Sequence, residues 1–330
     1  SCAMPRTGRF LALNPSSKTV AESTDKKESA KEGIAALLNP AEMFKLGRLT
    51  LFSRYTVEGN LAGAHKSPLQ GPSSEFATHK QYGLGDDPKH IDWRVFARTD
   101  KHYVKQFDDE TNLRVYLAFD RSASMDFSSS PDGPTKFHHA SRLAAALGYV
   151  VVKARDSIGL FLHSDKVDLR VEAANSLQHL NNMLKRIQQT PPSSGSNIAA
   201  ALHEIAGAVR RRGMIVIISD LYDDEAEIAV ALARLRKQRH DVIVFHILDP
   251  AEIDFALMKP CELVDLESGE KFGVDPKALA ADYRKSFNEF LERHRKTCAS
   301  LNIDYRIVRT DQPLDTFVRA YLEERKRMSK

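Results

Sequence analysis

Cysteine is scarce in this sequence, with three residues in a chain of 330. Cys2, Cys261 and Cys298 lie far apart, their number is odd, and no pair has the C-x-x-C spacing. These features exclude a disulfide framework and a zinc ribbon as the basis of the fold, and they favour a reducing compartment. Cys298 falls on the apolar stripe of a predicted helix, where we expect a buried, unreactive thiol.

Long hydrophobic runs are also missing. No apolar run reaches the roughly 18 residues that a helix needs to cross a bilayer. Residues 1–6 lack the apolar core of a signal peptide. We therefore expect a cytoplasmic protein with no membrane span.

A large excess of charge of one sign is the third absence. Lys and Arg number 48 against 44 Asp and Glu, which gives a formal net charge of +4. The densest basic run, at 210–212, lies near the end of a predicted helix, where it complements the helix dipole. This distribution argues against a nucleic-acid-binding protein. A content of 42% hydrophobic and 28% charged residues is that of an ordinary globular protein.

The first third of the chain divides into two parts by composition. Residues 1–33 are rich in Ser, Thr, Lys and Glu and poor in large apolar side chains, so we predict a mobile tail. Residues 34–112 are predicted to form a small N-terminal unit that begins with a helical segment interrupted by Pro40. From about residue 55, Gly and Pro recur between short alternating stretches, which is typical of β-rich or irregular structure rather than helices.

The same unit contains the single tryptophan of the chain. Trp93 lies beside Arg94 and close to Arg98. One interpretation is that its ring anchors the core of the small unit while the arginines pair with acidic neighbours. The alternative is a patch that faces a binding partner, and the sequence leaves the role of these three residues open.

Regular alternation of strands and helices begins near residue 113. Short apolar runs predict strands at 115–119, 158–162, 214–219 and 242–248, and residues 305–308 are predicted to form a last strand. Residues 167–171 are expected to form a hairpin with the second of these strands through a turn at 164–166. Residues 113–330 are therefore predicted to form a doubly wound, mostly parallel α/β sheet with helices on both faces.

Polar residues cluster at the ends of the predicted strands, where doubly wound sheets bind their ligands. The candidate metal ligands are Asp120, Ser122 and Ser124 after the first strand, Ser196 in the loop before a helix, and Asp220 after a later strand. Carboxylate and hydroxyl oxygens, with no thiol or imidazole, suit Mg²⁺ or Mn²⁺. A set with only two carboxylates leaves the cation electrophilic, which favours completion of its shell by an outside carboxylate.

This set resembles the metal-ion-dependent adhesion site of von Willebrand factor A domains. The pattern there is Asp-x-Ser-x-Ser, then a Thr in a loop, then an Asp after a later strand. Asp120, Ser122 and Ser124 match the first element and Asp220 matches the last, whereas Ser196 stands where Thr is usual. Serine keeps the hydroxyl but lacks the methyl that restricts the rotamer, so we expect looser metal binding. The resemblance implies a von Willebrand factor A-like fold for residues 113–330.

A wider resemblance, over roughly residues 35–325, is to the DUF58 family. The stretches that carry it are GNLAGAHKSP (59–68), EF (75–76), YGLGDDP (82–88), IDWR (91–94), AR (97–98), ETN (110–112), LDPAE (248–252) and VDP (274–276). The resemblance implies a cytoplasmic or membrane-tethered bacterial protein encoded beside a MoxR-type AAA+ ATPase. It also implies that the protein acts as an adaptor in chaperone-like assembly or metal insertion.

Together these patterns favour a non-enzymatic, divalent-metal-dependent protein-binding adaptor. Its Mg²⁺ or Mn²⁺ would complete its shell with an acidic side chain of a partner, either the MoxR-type ATPase or its client. One alternative is a Mg²⁺-dependent phosphatase of the haloacid dehalogenase type, which needs an Asp at the position of Ser122 and a Lys that the sequence does not identify. Another is a scaffold with a vestigial metal site, suggested by Ser196. The identity of the partner and the oligomeric state stay open.

Overall fold

The computed structural model describes residues 12–13, 33–53, 75–83, 91–108, 113–130, 133–193, 195–254, 261–264, 271–274 and 276–328. Within the predicted tail, these ranges include only a two-residue strand and Gly33, so the prediction of a mobile tail lies mostly outside the described residues. No helix in the described ranges is long and apolar enough to cross a membrane.

Strands and helices alternate along most of the described chain. The strands are β1 (Ala12–Leu13), β2 (Glu75–Gln81), β3 (Tyr103–Asp108), β4 (Arg114–Asp120), β5 (Ser157–His163), β6 (Val167–Ala174), β7 (Met214–Ser219), β8 (Asp241–Leu248), β9 (Cys261–Val264), β10 (Lys271–Val274) and β11 (Asp304–Arg309). The helices are α1 (Ile34–Leu37), α2 (Pro40–Leu46), α3 (Trp93–Thr99), α4 (Lys136–Lys153), α5 (Leu177–Gln189), α6 (Ile198–Ala208), α7 (Glu225–Lys237), α8 (Pro250–Asp254), α9 (Pro276–Ser300) and α10 (Leu314–Met328). A 3₁₀ turn, Ala123–Asp126, follows β4.

Six strands form the central sheet, in the order β11-β8-β7-β4-β5-β6. All neighbours are parallel except β5 and β6, which form the predicted antiparallel hairpin. The chain starts this sheet in the middle with β4, adds β5 and β6 on one side, and then returns to add β7, β8 and β11 on the other. This confirms the doubly wound, mostly parallel α/β fold, and it places the reversal of strand order between β4 and β7.

Both faces of the sheet are covered, which explains why its central strands are continuous apolar runs. In β4, Val115, Leu117 and Phe119 pack with α4, α5 and α10 on one face. Tyr116 and Ala118 point to the other face and pack with α6 and α7. This is the two-residue period of a strand with helices on both sides.

Residues 34–53 join this core rather than forming one of their own. Leu37, Leu46 and Leu51 are buried in the same apolar cluster as β4 and α4. The start of α2 is fixed by a capping box, in which Asn39 and Glu42 each accept the other's backbone N–H. The boundary at residue 113 stays a prediction, but the helices before it are part of the sheet's cover.

The segment between 55 and 112 contains an antiparallel pair, β2 and β3, and also a helix that the sequence analysis did not expect. α3 forms because the Asp92 side chain accepts the backbone N–H groups of Arg94 and Val95, a strong helix start. The interpretation of Trp93 as a core anchor is wrong, because Trp93 is 61% exposed and touches Phe96 edge-on. Residues 54–74, 84–90 and 109–112 lie outside the described ranges.

Candidate functional site

The two predicted aspartates lie at the carboxyl edge of the sheet, on neighbouring strands. Asp120 is the last residue of β4, and Asp220 directly follows β7, which pairs with β4. Both residues are almost completely buried: Asp120 is 2% exposed and Asp220 is 1% exposed. The strand-end rule therefore brings these two candidates together as predicted.

Both oxygens of the Asp120 carboxylate accept hydrogen bonds from the protein. The backbone N–H of Ser122 donates to Oδ1 at 2.8 Å, and the hydroxyl of Ser219 donates to Oδ2 at 2.5 Å. The Ser219 oxygen in turn accepts the N–H of Leu221 at 2.9 Å. Asp120 is thus held in one orientation by groups on β7 and on its own loop.

Ser122 and Ser124 place their hydroxyls together just beyond Asp120. The two Oγ atoms are 3.0 Å apart, within hydrogen-bond distance. The 3₁₀ turn starts when the N–H of Met125 donates to the Ser122 carbonyl, and the Met125 side chain is completely buried beneath it. A buried apolar anchor therefore fixes a loop that carries two hydroxyl groups.

Ser196 lies in a loop that is tied to the Asp120 loop through backbone contacts. The N–H of Ser193 donates to the carbonyl of Arg121 at 2.9 Å, and the N–H of Asn197 donates to the carbonyl of Ser164 at 3.2 Å. Gly195 sits between these ties with φ of 98°, a conformation that favours glycine. Within the described part of the chain, Ser196 forms no hydrogen bond with the other four candidates.

The Arg121 side chain strengthens the same connection. Its Nε donates to Asp168 at 2.7 Å, and its Nη1 donates to the carbonyl of Pro191, also at 2.7 Å. Asp168 lies on β6 and also accepts the Ser164 hydroxyl at 3.0 Å. The β5–β6 turn and the loop before α6 therefore form one wall beside the candidate site.

Asp220 is engaged by a residue that the sequence analysis missed. The Lys136 ammonium lies 2.7 Å from Oδ2 of Asp220 and 2.7 Å from Oε1 of Glu252. The Lys136 side chain is completely buried. A signal was present, because Lys136 is the first residue of α4, and a cation in the first turn opposes the helix dipole unless a carboxylate compensates it.

The surroundings of Lys136 keep it charged. Burial alone would lower the pKa of its ammonium, but the Asp220 and Glu252 carboxylates outweigh burial and raise that pKa above its ordinary value. The ammonium also lies 4.8 Å from the centre of the Tyr222 ring and 5.9 Å from that of Phe127, where the ring faces attract a cation. These groups together enclose one positive charge inside the protein.

Glu252 is fixed by the short helix α8. Its second carboxylate oxygen accepts the N–H of Asp249 at 2.7 Å. Asp249 in turn accepts the N–H of Ser129 at 3.1 Å, which connects this corner to the loop after the 3₁₀ turn. Burial raises the pKa of Glu252 above its ordinary value, and the opposing effect of the neighbouring Lys136 does not cancel this rise.

The protonation of Asp120 is governed first by burial. Desolvation raises the pKa of Asp120 above its ordinary value, His163 lowers it, and the Asp220 charge raises it further. His163 is completely buried next to Asp120 in the sheet register. Desolvation lowers the pKa of His163, which favours a neutral imidazole.

The residues present fit a small divalent cation in part. Asp120, Ser122 and Ser124 offer one carboxylate and two hydroxyls at one corner, which are oxygen ligands of the kind Mg²⁺ and Mn²⁺ accept. Asp220 is already paired with the Lys136 ammonium. Within the described residues, no group of three or more His, Cys, Asp or Glu side chains could hold a metal ion, so any such site relies on hydroxyls.

Comparisons with known proteins give the following matches. The family model "Protein of unknown function DUF58" matches residues 78–297. The uncharacterized protein Rv1480 of Mycobacterium tuberculosis is 31% identical over 246 residues, which are 73% of this chain and 76% of that protein.

Solved structures with a similar arrangement include an aerotolerance-related membrane protein from Bacteroides fragilis, at a TM-score of 0.43 and 16% identity, covering 65% of this chain and 99% of the other. The SpRpn10 VWA domain matches at a TM-score of 0.39 and 14% identity, covering 64% and 95% of the two chains. These scores are too low to carry the fold assignment, which rests on the strand order of the central sheet.

Proposed function

Because this chain belongs to the DUF58 family, we propose that it is a non-enzymatic adaptor that binds protein partners at the carboxyl edge of its sheet. The observation that supports this is the arrangement of Asp120 with the Ser122 and Ser124 hydroxyls. Both Asp120 oxygens already accept hydrogen bonds from the protein, so this carboxylate is held as a fixed group rather than a free nucleophile.

The finer part of the proposal is that a divalent cation links the protein to its partner. Asp120, Ser122 and Ser124 would hold Mg²⁺ or Mn²⁺, with Ser196 and Asp220 completing the proposed set. The cation would supply an electrophilic position for an acidic side chain of the partner. The proposed partner is a MoxR-type AAA+ ATPase or its client, which would place the interaction in the cytoplasm.

Isothermal titration calorimetry with Mg²⁺ and Mn²⁺ tests whether the chain binds a divalent cation. We expect saturable binding that is lost in Asp120→Ala and kept in Asp126→Ala, which removes an exposed carboxylate from the same loop. A second measurement tests the adaptor role, by surface plasmon resonance with a MoxR-type AAA+ ATPase as the proposed partner. Asp120→Ala should abolish that binding, and equal binding by wild type and variant would refute the proposal.

The alternative of a scaffold without a metal gains support from one observation, the pairing of Asp220 with Lys136. In that case partner binding would survive chelation of divalent cations by EDTA but would still depend on the shape of the Asp120 loop.

The structure supplies the lysine that the phosphatase alternative needs, because Lys136 lies beside Asp220. The acid/base Asp of such phosphatases is still missing, since Ser122 stands at its position. The Ser122 hydroxyl is paired with Ser124. Turnover of p-nitrophenyl phosphate that requires both Mg²⁺ and Asp120 would establish this activity. We expect none.

A further inference from the structure

The Lys136 ammonium occupies an enclosed cation site at the carboxyl edge. Its two closest oxygen neighbours belong to Asp220 and Glu252, each at 2.7 Å, and the Tyr222 ring lies 4.8 Å away. The side chain has no exposed surface. This is the environment that proteins build around a bound cation, and here the cation belongs to the chain itself.

We propose that Lys136 is the resident cation of this edge and that it limits how tightly the candidate site binds a divalent cation. The inference rests on the proposed function, because it concerns the same site. In this proposal the Lys136 ammonium competes with a divalent cation for Asp220, which is one of the two carboxylates in the predicted ligand set.

Electrostatics gives the first reason. A divalent cation held by Asp120, Ser122 and Ser124 would share this buried corner with the ammonium that pairs with Asp220. Like charges repel strongly where water is excluded, because the effective dielectric constant is low. The Asp220 charge that would attract the metal is also partly offset by the Lys136 ammonium, which Asp220 shares with Glu252.

The rigidity of the surroundings gives the second reason. Lys136 begins α4, and its N–H donates to the carbonyl of Phe127 at 3.0 Å. Glu252 is fixed by the N–H of Asp249. Moving the ammonium away would leave a buried charge without a partner, which is costly. The ammonium therefore stays in place and the metal must bind in its presence.

The decisive experiment removes the ammonium while keeping the net charge of the cluster. In wild type, one ammonium faces the Asp220 and Glu252 carboxylates. The double variant Lys136→Met/Glu252→Gln leaves the Asp220 carboxylate alone, so the sum of charges is unchanged but Asp220 is free of its ammonium. Calorimetry with Mn²⁺ then compares wild type, the double variant and the double variant with Asp120→Ala.

We expect the double variant to bind Mn²⁺ more tightly than wild type by about tenfold or more, and this gain should disappear with Asp120→Ala. Binding that is no tighter than in wild type would overturn the inference. This holds also if neither protein binds Mn²⁺, because freeing Asp220 is expected to create a site.

Two further variants keep the inference testable if the double variant does not fold. Lys136→Gln/Glu252→Gln retains an amide that can donate to Asp220 but removes the charge, and it should also bind Mn²⁺ more tightly than wild type. Glu252→Gln alone retains the ammonium with one carboxylate fewer, so it should bind Mn²⁺ more weakly than wild type. Where wild type binds Mn²⁺ measurably, unchanged or tighter binding by this single variant would contradict the role given to Lys136.

Partner binding separates this inference from the proposed function. If Asp120→Ala abolishes partner binding but the double variant gains no Mn²⁺ affinity, the adaptor proposal stands and the role of Lys136 is refuted. The opposite outcome is a double variant that gains Mn²⁺ affinity through Asp120, together with partner binding that is unchanged in Asp120→Ala. In that case the role of Lys136 stands and the adaptor proposal fails.

Discussion

The guanidinium of Arg325, in the last helix, donates a hydrogen bond to the backbone carbonyl of Phe52, 273 positions earlier in the chain. The same guanidinium forms ion pairs with Asp241, at the start of β8, and with Asp304, at the start of β11. Arg325 is completely buried. It lies at the amino edge of the sheet, so the fold contains a buried cation with two carboxylates at each edge, Arg325 at one and Lys136 at the other.

Replacing Arg325 with Met should destabilise the protein by about 3–5 kcal/mol, because it removes the buried guanidinium that Asp241 and Asp304 share, although Asp304 keeps its ion pair with Arg306. Urea unfolding followed by circular dichroism measures this loss. Arg319→Met is the matched control on the same helix. Arg319 is 67% exposed and pairs with Glu323 one turn away, so its loss should cost less than about 1 kcal/mol. Equal losses of unfolding free energy in the two variants would show that the buried ion pairs of Arg325 contribute no more stability than the exposed pair of Arg319.

Arg121→Met should loosen the loop that carries Ser196, because the side chain holds Asp168 and the Pro191 carbonyl together. Amide hydrogen exchange at Ser193 and Asn197 should become faster by about tenfold. Mass spectrometry of peptides from 190–197 detects this change. Arg170→Met offers a comparison, since Arg170 is 43% exposed and pairs with Glu172 on its own strand. Exchange in the loop should not respond to that second change.

Asp156→Asn should change how stability depends on pH. Burial raises the pKa of Asp156 and the Leu113 N–H that it accepts at 3.0 Å lowers it, and the net result is a rise from 3.8 to about 7. The folded protein therefore holds this proton more tightly than the unfolded chain does. The stability that this provides is fully present below about pH 4 and is lost as the pH rises through about 7.

Asparagine keeps the oxygen that accepts the Leu113 N–H but does not ionise. The variant should match wild type near pH 4 and be more stable at pH 8, on the order of 4 kcal/mol. Thermal unfolding at several pH values gives the comparison. Parallel profiles for the two proteins would mean that Asp156 ionises in the folded state as easily as in the unfolded one.

Cys298 should resist thiol reagents as long as the protein is folded. Its residue is 1% exposed, as the sequence predicted, and burial raises the pKa of the thiol to about 12. Iodoacetamide at pH 8 should therefore label Cys298 only after urea is added, as peptide mapping would show. Ser300→Cys places a thiol on the exposed side of the same helix and should be labelled at once. If native Cys298 were labelled as fast as that introduced thiol, its burial would be disproved.

The central sheet could be predicted because its strands carry the signal themselves. Each predicted strand falls inside one of β4, β5, β7, β8 and β11, and the hairpin strand predicted at 167–171 falls inside β6. The central strands are covered on both faces and are apolar along most of their length, so no partner needs to be known to recognise them. The positions of Asp120 and Asp220 at the ends of β4 and β7 could be predicted for the same reason, since the end of an apolar run is visible in the sequence.

Lys136 and Glu252 could not be found in this way. They lie 84 positions before Asp220 and 32 after it, and only the packing of α4 and α8 against the sheet brings the three together. The cation at the first position of α4 is a local signal, but it does not tell which distant carboxylates compensate it. α3 was missed for a different reason, because the frequent Gly and Pro of the region outweighed the short capping signal at Asp92.

The order of strands also determines how the sheet can be completed during synthesis. After β4, each later parallel strand joins an edge that already exists: β5 and β7 flank β4, β8 follows β7, and β11 follows β8. No strand of this six-stranded sheet has to be inserted between two that are already paired. A nascent chain leaving the ribosome can therefore build it outward from β4, one strand at a time, with each intermediate ending on an edge that the next strand covers.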